Sequence, residues 1–363
     1  AGQSLNNPVG GGELSAKTLI LALAPQNQVE VIGTGPKAAH GKLAQSVHYS
    51  DYPFSGSRLP SPFMAMRRES EFRGPLCRHI EQFEPDLIML QQPAHIRPFD
   101  IDRKTKLLIF VRSLMCFGIG DPSPRMIGRV ARKPFQQLRL HRNRPLLERA
   151  DLIVTNSRFL QHELKTRTGL TSEVIHPFID TAPFRKRPAH PGADALTFVG
   201  LDKWKGARIA LAVARQLKDR QFLFLEGARS SRAMVREARK LPNVSVLTWT
   251  DDIARVMQKS RVLLVPSLWE EPFGRLPVEA GACGVPTIAS GSGGLPESVG
   301  AGGILLSDFH NVASWIEAIE QLDSPERHLQ VSALAKRNAE ALNAIAMLSR
   351  FRELVETRLG FKL

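Results

Sequence analysis

From residue 262 to residue 300 the chain reads VLLVPSLWEEPFGRLPVEAGACGVPTIASGSGGLPESVG. An apolar run, Val262 to Pro266, opens into a loop; a helical stretch from Arg275 to Cys283 follows, then a second apolar run, Pro286 to Ser290, that ends in a glycine-rich loop. A strand, a helix and a second strand in this order make a crossover unit of a parallel sheet. Loops at the carboxyl ends of neighbouring strands are where open α/β sheets take their ligands.

The same alternation runs outward through the chain. Strands are expected at Val29 to Gly33, Leu87 to Leu90, Lys106 to Val111, Leu152 to Asn156, Ala195 to Gly200, Gln221 to Leu225 and Val244 to Thr248, most of them bounded by Gly, Pro, Asn or Asp. Amphipathic stretches fall between them: Glu13 to Leu23, Phe72 to Gln82, Ile127 to Leu140, Arg158 to Arg167, Ala207 to Leu217, Ala233 to Leu241, Asp252 to Lys259 and a long region from Pro325 onward. This predicts an α/β protein of two Rossmann-like, doubly wound halves. The joint falls in the proline-rich PFIDTAPFRKRPAHP, Pro177 to Pro191. The expected division is 1–182, 183–345 and a terminal helix over 346–363. Gly10, Gly11 and Gly12 precede a helix with no apolar strand before them, so the reading expects the first strand of this half to be missing.

A chain of 363 residues is long for one core, and 43% hydrophobic with 23% charged residues is a globular composition, not that of a disordered chain or a rod. No stretch reaches the roughly 18 apolar residues of a spanning helix, and the opening twelve residues are polar and glycine-rich, unlike a signal peptide. Cys77, Cys116 and Cys283 stand far apart without a CxxC pairing, which predicts neither a disulfide framework nor a zinc site. No cluster of Asp and His has metal-ligand spacing, so no metal and no cofactor is expected. The expected setting is the cytoplasm.

Candidate chemistry concentrates in the opening stretch. Glu271 and Glu279 are carboxylates able to accept from paired hydroxyls, and a helical turn from near Pro272 would put about two turns, or roughly 10 Å, between them. That span suits a sugar at one end and a ribose at the other, with the backbone N–H groups of Phe273 and Gly274 facing a diphosphate between. A plainer reading stands beside this one: Ser267 to Glu270 matches a capping box, and Glu279 fits a solvated helix face.

The whole string decides between them. Pro266-Ser267, Glu271, Phe273-Gly274, Glu279-Ala280, Ala282-Cys283-Gly284-Val285-Pro286 and Gly293-Gly294-Leu295-Pro296-Glu297, in that order, resemble the donor-site signature of glycosyltransferase family 4, retaining enzymes of the GT-B fold. The resemblance implies two Rossmann-like domains facing across a cleft and transfer of a sugar from a UDP- or GDP-sugar to a glycan or lipid-linked acceptor, without a metal. By it Glu271 contacts the donor sugar, Phe273 and Gly274 the sugar and phosphate through their amides, and Glu279 the ribose, while Cys283 is a packing residue. Ala150 to Ser157 and Val174 to Asp180 resemble the family's segments that close the first domain and enter the second. Gly11 and Gly12, in Gly10-Gly11-Gly12-Glu13, resemble its glycine loop beside the diphosphate. Gly200 followed by Lys205-Gly206 resembles its phosphate loop, whose two cations neutralise the leaving group. Here the sequence departs: Leu201 stands where an Arg is usual, so Lys205 carries over and Lys203 is a substitute cation. Arg112 follows the strand after which many relatives place a histidine, and His95, in QQPAHIRP, is the other acceptor-side candidate.

Net charge is +14, and Arg97 to Arg149, with thirteen Lys+Arg against four Asp+Glu, carries +9 of it. The segment from Arg125 to Arg149 interleaves arginines with Met126, Ile127, Val130, Phe135, Leu138 and Leu140, which suits an anionic membrane surface or, equally, a solvated basic helix packed by its apolar side. Rival functions are a nucleotide-binding GT-B protein with epimerase activity or none, and a basic nucleic-acid-binding protein. Against the last, aromatic content is 7% and no nucleic-acid module is recognisable, so no nucleic acid is expected as a partner.

Overall fold

The apolar runs become strands. The computed structural model describes residues 10–35, 39–44, 47–53, 61–91, 93, 96–117 and 129–363. The chain divides into two units, unit 1 being Ala1–Phe178 with Met347–Leu363, and unit 2 Ile179–Ala346.

In unit 1 the order is α1 (Gly11–Leu23), β1 (Val29–Gly35), β2 (Ala39–Ala44), β3 (Val47–Pro53), α2 (Ser61–Phe83), β4 (Leu87–Leu90), β5 (Lys106–Val111), α3 (Arg129–Arg149), β6 (Leu152–Thr155), α4 (Arg158–Thr168) and β7 (Glu173–Val174). A parallel sheet runs β4-β5-β6-β7, and a separate three-stranded sheet runs β1-β3-β2, its β2 antiparallel. The expected strand at Val29 is therefore in a different sheet from the strands at Leu87 and Lys106. β5 is buried over Leu107 to Val111, the mark of a strand covered on both faces. Its residues pack with Leu146 and Leu147 of α3 and Leu160 and Leu164 of α4. α4 starts on Ser157, whose hydroxyl accepts from Leu160 N at 3.1 Å, and ends on Gly169 in the left-handed region.

Unit 2 holds α5 (Ala182–Arg185), β8 (Ala195–Val199), α6 (Ala207–Gln216), β9 (Phe222–Leu225), α7 (Arg232–Ala238), β10 (Val244–Leu247), α8 (Ile253–Met257), β11 (Ser260–Val265), α9 (Leu276–Ala282), β12 (Thr287–Ser290), α10 (Leu295–Val299), β13 (Gly303–Leu306), α11 (Val312–Gln321) and α12 (Pro325–Ala341). The last helix, α13 (Ala344–Leu359), enters unit 1 at Met347, where Phe351 stacks on Phe110 and meets Phe178 edge-on. The sheet of unit 2 is wholly parallel, ordered β10-β9-β8-β11-β12-β13. From β8 the chain proceeds outward to β9 and β10, then returns to the other side of β8 with β11. The boundary between β8 and β11 is thus a topological switch point, the place where open α/β sheets take their ligands. Its floor is an apolar core of Leu196, Phe198, Phe224, Val262 and Leu264 under α6 and α11, with Trp315 fully enclosed.

Candidate functional site

The loops leaving β8 and β11 meet at that switch point. After β8 the chain turns at Gly200, whose φ is +94° and whose N–H donates to Leu225 O at 2.9 Å. Asp202 then organises the loop, its Oδ1 accepting from Trp204 N at 2.8 Å and Lys205 N at 3.0 Å. Gly206 closes it at φ +81°, and a Cβ there would lie 1.8 Å from Pro266 O, so only glycine lets this loop reach the end of β11. Leu268 N completes the join by donating to Trp204 O at 2.8 Å.

This join brings Lys205 to Glu271. The ammonium Nζ donates to Glu271 Oε1 at 2.7 Å, and Ser267 Oγ donates to the same oxygen at 2.5 Å. Glu271 is 7% exposed. Burial alone pushes its carboxyl up, but the Lys205 charge, with hydrogen bonds from Lys205, Ser267 and Trp269, outweighs burial and holds it below the usual carboxylate range. The result is an ionised, oriented carboxylate beside a cation. Ser267 does not cap a helix as the capping-box reading would have it. The chain at 268–274 is bends and irregular loop, not helix, and Glu271 O accepts from Gly294 N at 2.7 Å, which joins it to the glycine-rich loop.

The helix begins at Leu276, not near Pro272. Glu271 and Glu279 consequently do not lie on one helix, and the two-turn estimate of their separation does not hold. Phe273 and Gly274 precede the helix. The Phe273 ring is buried with Ile179, Val278, Ala282, Ala339 and Leu342, so its side chain anchors the turn to the core. Gly274 has φ +87°, and a Cβ on it would stand 2.6 Å from Leu295 Cδ2 and 3.6 Å from Glu271 Oε2. Glu279 is 8% exposed and accepts from Arg275 Nε at 3.1 Å, which makes it a buried, paired carboxylate and not a solvated helix residue. Cys283 is enclosed, its Sγ donating to Phe184 O at 3.5 Å, and burial together with the Glu279 charge pushes the thiol up to about 12.

Unit 2 therefore gathers Gly200, Lys205, Glu271 and Gly274. Leu201, at the position where an arginine was expected, is fully buried in the core. Lys203 is exposed, with its ammonium 5.1 Å from the centre of the Trp204 ring. Trp269 and Arg275 are members of the site that the sequence analysis did not name, and Ser267 entered it only as part of the signature string and of a capping box; the i,i+4 spacing of Arg275–Glu279 was the available signal.

In unit 1, Gly11 and Gly12 lie inside the first turn of α1 and not in a loop before it. Glu13 causes this by reaching back to accept from Gly10 N at 2.5 Å, while Leu14 N donates to Gly10 O at 3.0 Å. Arg112 is tied to that turn, its Nη1 donating to Gly12 O at 2.9 Å and its guanidinium lying 4.4 Å from the Phe110 ring centre. Arg112 and the glycines are thus one assembly. His95 lies outside the described residues, as does Arg125.

Residues 9–183 match the family model described as Glycosyltransferase Family 4, and residues 193–324 match the one described as Glycosyl transferases group 1. The chain belongs to glycosyltransferase family 4. Among relatives of this family 4 chain, the D-inositol 3-phosphate glycosyltransferase of Mycobacterium leprae is 30% identical over 201 residues, which cover 49% of this chain and 45% of that protein. The match thus spans less than half the length of that relative. Among solved structures, sucrose-phosphate synthase from Thermosynechococcus elongatus superposes with a TM-score of 0.74 at 18% identity, over 97% of this chain and 94% of the other. Anabaena HepE, solved with UDP and glucose, gives 0.69 at 18% identity, over 96% and 97%. These likenesses show the GT-B fold for the family 4 chain.

Proposed function

We propose that this protein transfers a sugar, with retention of anomeric configuration and without a metal, from a UDP- or GDP-sugar to a hydroxyl of a glycan or lipid-linked acceptor. The observation that carries the reading is the pair of half-buried Lys205 and buried Glu271 at the switch point of the unit 2 sheet. Transfer breaks the bond between the anomeric carbon and a phosphate oxygen, whose electron pair passes to the diphosphate, and forms a bond from the acceptor oxygen to that carbon on the same face. Negative charge grows on the diphosphate as positive charge grows on the sugar. Lys205 serves the first, and Glu271, held ionised, serves the sugar as a hydroxyl acceptor and as a nearby negative charge. Glu279, positioned by Arg275, takes the ribose hydroxyls. By the family resemblance Gly11 and Gly12 serve the donor's diphosphate, and Arg112 is the acceptor-side residue.

Family membership favours transfer over nucleic-acid binding or a silent nucleotide-binding protein. Among the described residues no helix is long and apolar enough to cross a membrane. We place the protein in the cytoplasm, at an anionic membrane surface through the segment Arg125 to Arg149, where Leu138 and Arg144 are exposed. Co-sedimentation with anionic and neutral liposomes tests the docking; absence of anionic-specific binding at low salt removes it.

The donor reading is tested by a thermal-shift panel of UDP, GDP, ADP and CMP and their common sugars, with and without EDTA. A nucleotide at 100 times its dissociation constant adds about 2.7 kcal/mol. Stabilisation by one uridine or guanosine series, unchanged by EDTA, is the expected result, and no shift with any of them overturns the reading.

A further inference from the structure

A carboxylate has two oxygens, and the fold around Glu271 treats them differently. Oε1 accepts from Lys205 Nζ at 2.7 Å and from Ser267 Oγ at 2.5 Å. Each carboxylate oxygen offers about two lone-pair sites, so these two donors fill Oε1. Further donors, the Trp269 indole and a sugar hydroxyl, are left with Oε2. That oxygen stands 3.6 Å from the place a Cβ on Gly274 would take, on the side of the loop whose amides the donor-site reading gives to the sugar and phosphate.

The two donors on Oε1 are of different kinds. Lys205 brings an ammonium on a long stem, a point charge with rotatable donors, and its side chain is 32% exposed. It attracts the carboxylate without fixing its rotation. Ser267 is fully enclosed and lies just beyond the end of β11, next to Pro266, whose carbonyl oxygen packs against the Gly206 backbone. Its hydroxyl has one proton on a short arm, and an ionised carboxylate can only accept it. The hydroxyl therefore has one direction and a rigid mount.

We propose that Ser267 is a positioning residue: it fixes the rotation of the Glu271 carboxylate, so that Oε1 is held by the protein and Oε2 is the oxygen that accepts the donor sugar's hydroxyl. The inference rests on the donor-site reading above and adds which oxygen acts and what aims it. On this assignment Ser267 acts through Glu271 alone, so its removal matters to the sugar and not to the diphosphate, and only while Glu271 is present.

The test is titration calorimetry of the full chain with UDP, GDP and their common sugars, comparing the wild type with Ser267→Ala, Ser267→Cys, Glu271→Ala and the double variant Ser267→Ala with Glu271→Ala. For the series that the wild type binds, Ser267→Ala is expected to weaken nucleotide-sugar binding by about tenfold, the loss of one hydrogen bond to a charged group, with nucleoside diphosphate binding unchanged within about twofold. Ser267→Cys keeps the shape with a weaker donor and is expected to lose less; it carries the same comparison if the alanine variant does not fold. In the Glu271→Ala background, adding Ser267→Ala is expected to change nucleotide-sugar binding by less than about twofold. Wild-type nucleotide-sugar affinity in the serine variants, an equal loss for the bare diphosphate, or an undiminished loss in the Glu271→Ala background overturns the assignment while leaving the donor site standing. A wild type that binds a diphosphate but none of its sugars overturns the assignment and leaves the nucleotide half of the donor reading. A wild type that binds neither overturns both.

Discussion

Replacing Lys205 by alanine leaves Glu271 as a buried carboxylate without its cation. In the wild type, burial raises the Glu271 pKa and the Lys205 charge with its hydrogen bonds lowers it further than burial raises it. A folded-state pKa below the unfolded value of about 4.3 contributes stability that is present above that value and is lost as pH falls through the folded pKa. Without Lys205 the burial effect remains and the sign reverses: the folded pKa rises above the unfolded one, so stability is kept below the unfolded pKa and lost as pH rises through the folded one. Breaking a buried ion pair by removing one partner costs about 3 to 5 kcal/mol. Lys205 is 32% exposed, so the lower end, about 3 kcal/mol at pH 7, applies here. Lys205→Ala should therefore lose about 3 kcal/mol at pH 7 and much less near pH 4, and the double variant Lys205→Met with Glu271→Gln should recover most of the loss, because no buried charge is left. All four tryptophans, Trp204, Trp249, Trp269 and Trp315, lie in unit 2, so urea unfolding followed by tryptophan fluorescence from pH 4 to 8 reports on the right unit. A loss below about 1 kcal/mol at pH 7, with the pH profile of the wild type, would refute the reasoning.

Leu201→Arg would place a guanidinium in the enclosed core under α6; it should destabilise unit 2 by more than about 3 kcal/mol in the same urea assay, and it should not raise activity. Gly274→Ala forces a side chain onto φ +87° and against Leu295, so a cost of about 1 to 3 kcal/mol and reduced donor binding are expected, measured by unfolding and by titration calorimetry. Burial pushes the Cys116 thiol up to about 11 and the Cys283 thiol up to about 12, so both remain protonated at pH 8; iodoacetamide labelling of the native protein, read by peptide mass spectrometry, should modify neither until urea is added.

An unbroken apolar run is visible in the sequence, and Leu87 to Leu90 and Lys106 to Val111 fall on β4 and β5 as read, β5 buried on both faces and β4 half-buried. β2 and β3 have no such signature: AHGKLA and VHYSDYP are broken up by polar residues and glycine, and their strand character comes from pairing with each other and with β1. Helix lengths failed for the opposite reason. Pro145 reads as a breaker, yet α3 runs on to Arg149 because Leu146 and Leu147 are held in the unit 1 core, a tertiary contact that outweighs local propensity. Pro75 sits inside α2 in the same way, flanked by the buried Phe72 and Leu76.

In the site, Lys205 and Glu271 were legible as types in an ordered string, but their contact was not, since it depends on Gly206 admitting the β8 loop to Pro266. The helical stretch read from Arg275 to Cys283 falls on α9, but the extension of a helical turn back to Pro272 misled. A proline and a phenylalanine-glycine pair suggest a helix from residue 272, whereas burial of the Phe273 ring and the Gly294-to-Glu271 hydrogen bond consume those residues in a turn, so the helix opens four residues later. The acid pair thereby becomes one carboxylate in a turn and one in a helix, each with its own cation.

The Lys205–Glu271 pair is proposed to support sugar transfer from a nucleoside diphosphate sugar. Its most direct test is release of nucleoside diphosphate, with identification of the glycosylated product, from UDP- and GDP-sugars in the presence of a panel of glycan and lipid-linked acceptors, for the wild type, Lys205→Ala and Glu271→Ala. Acceptor-dependent release from one donor series is expected for the wild type, with a loss of about 100-fold to 1000-fold in Lys205→Ala and strong impairment in Glu271→Ala. Near wild-type turnover in both variants, each shown to be folded, would contradict it.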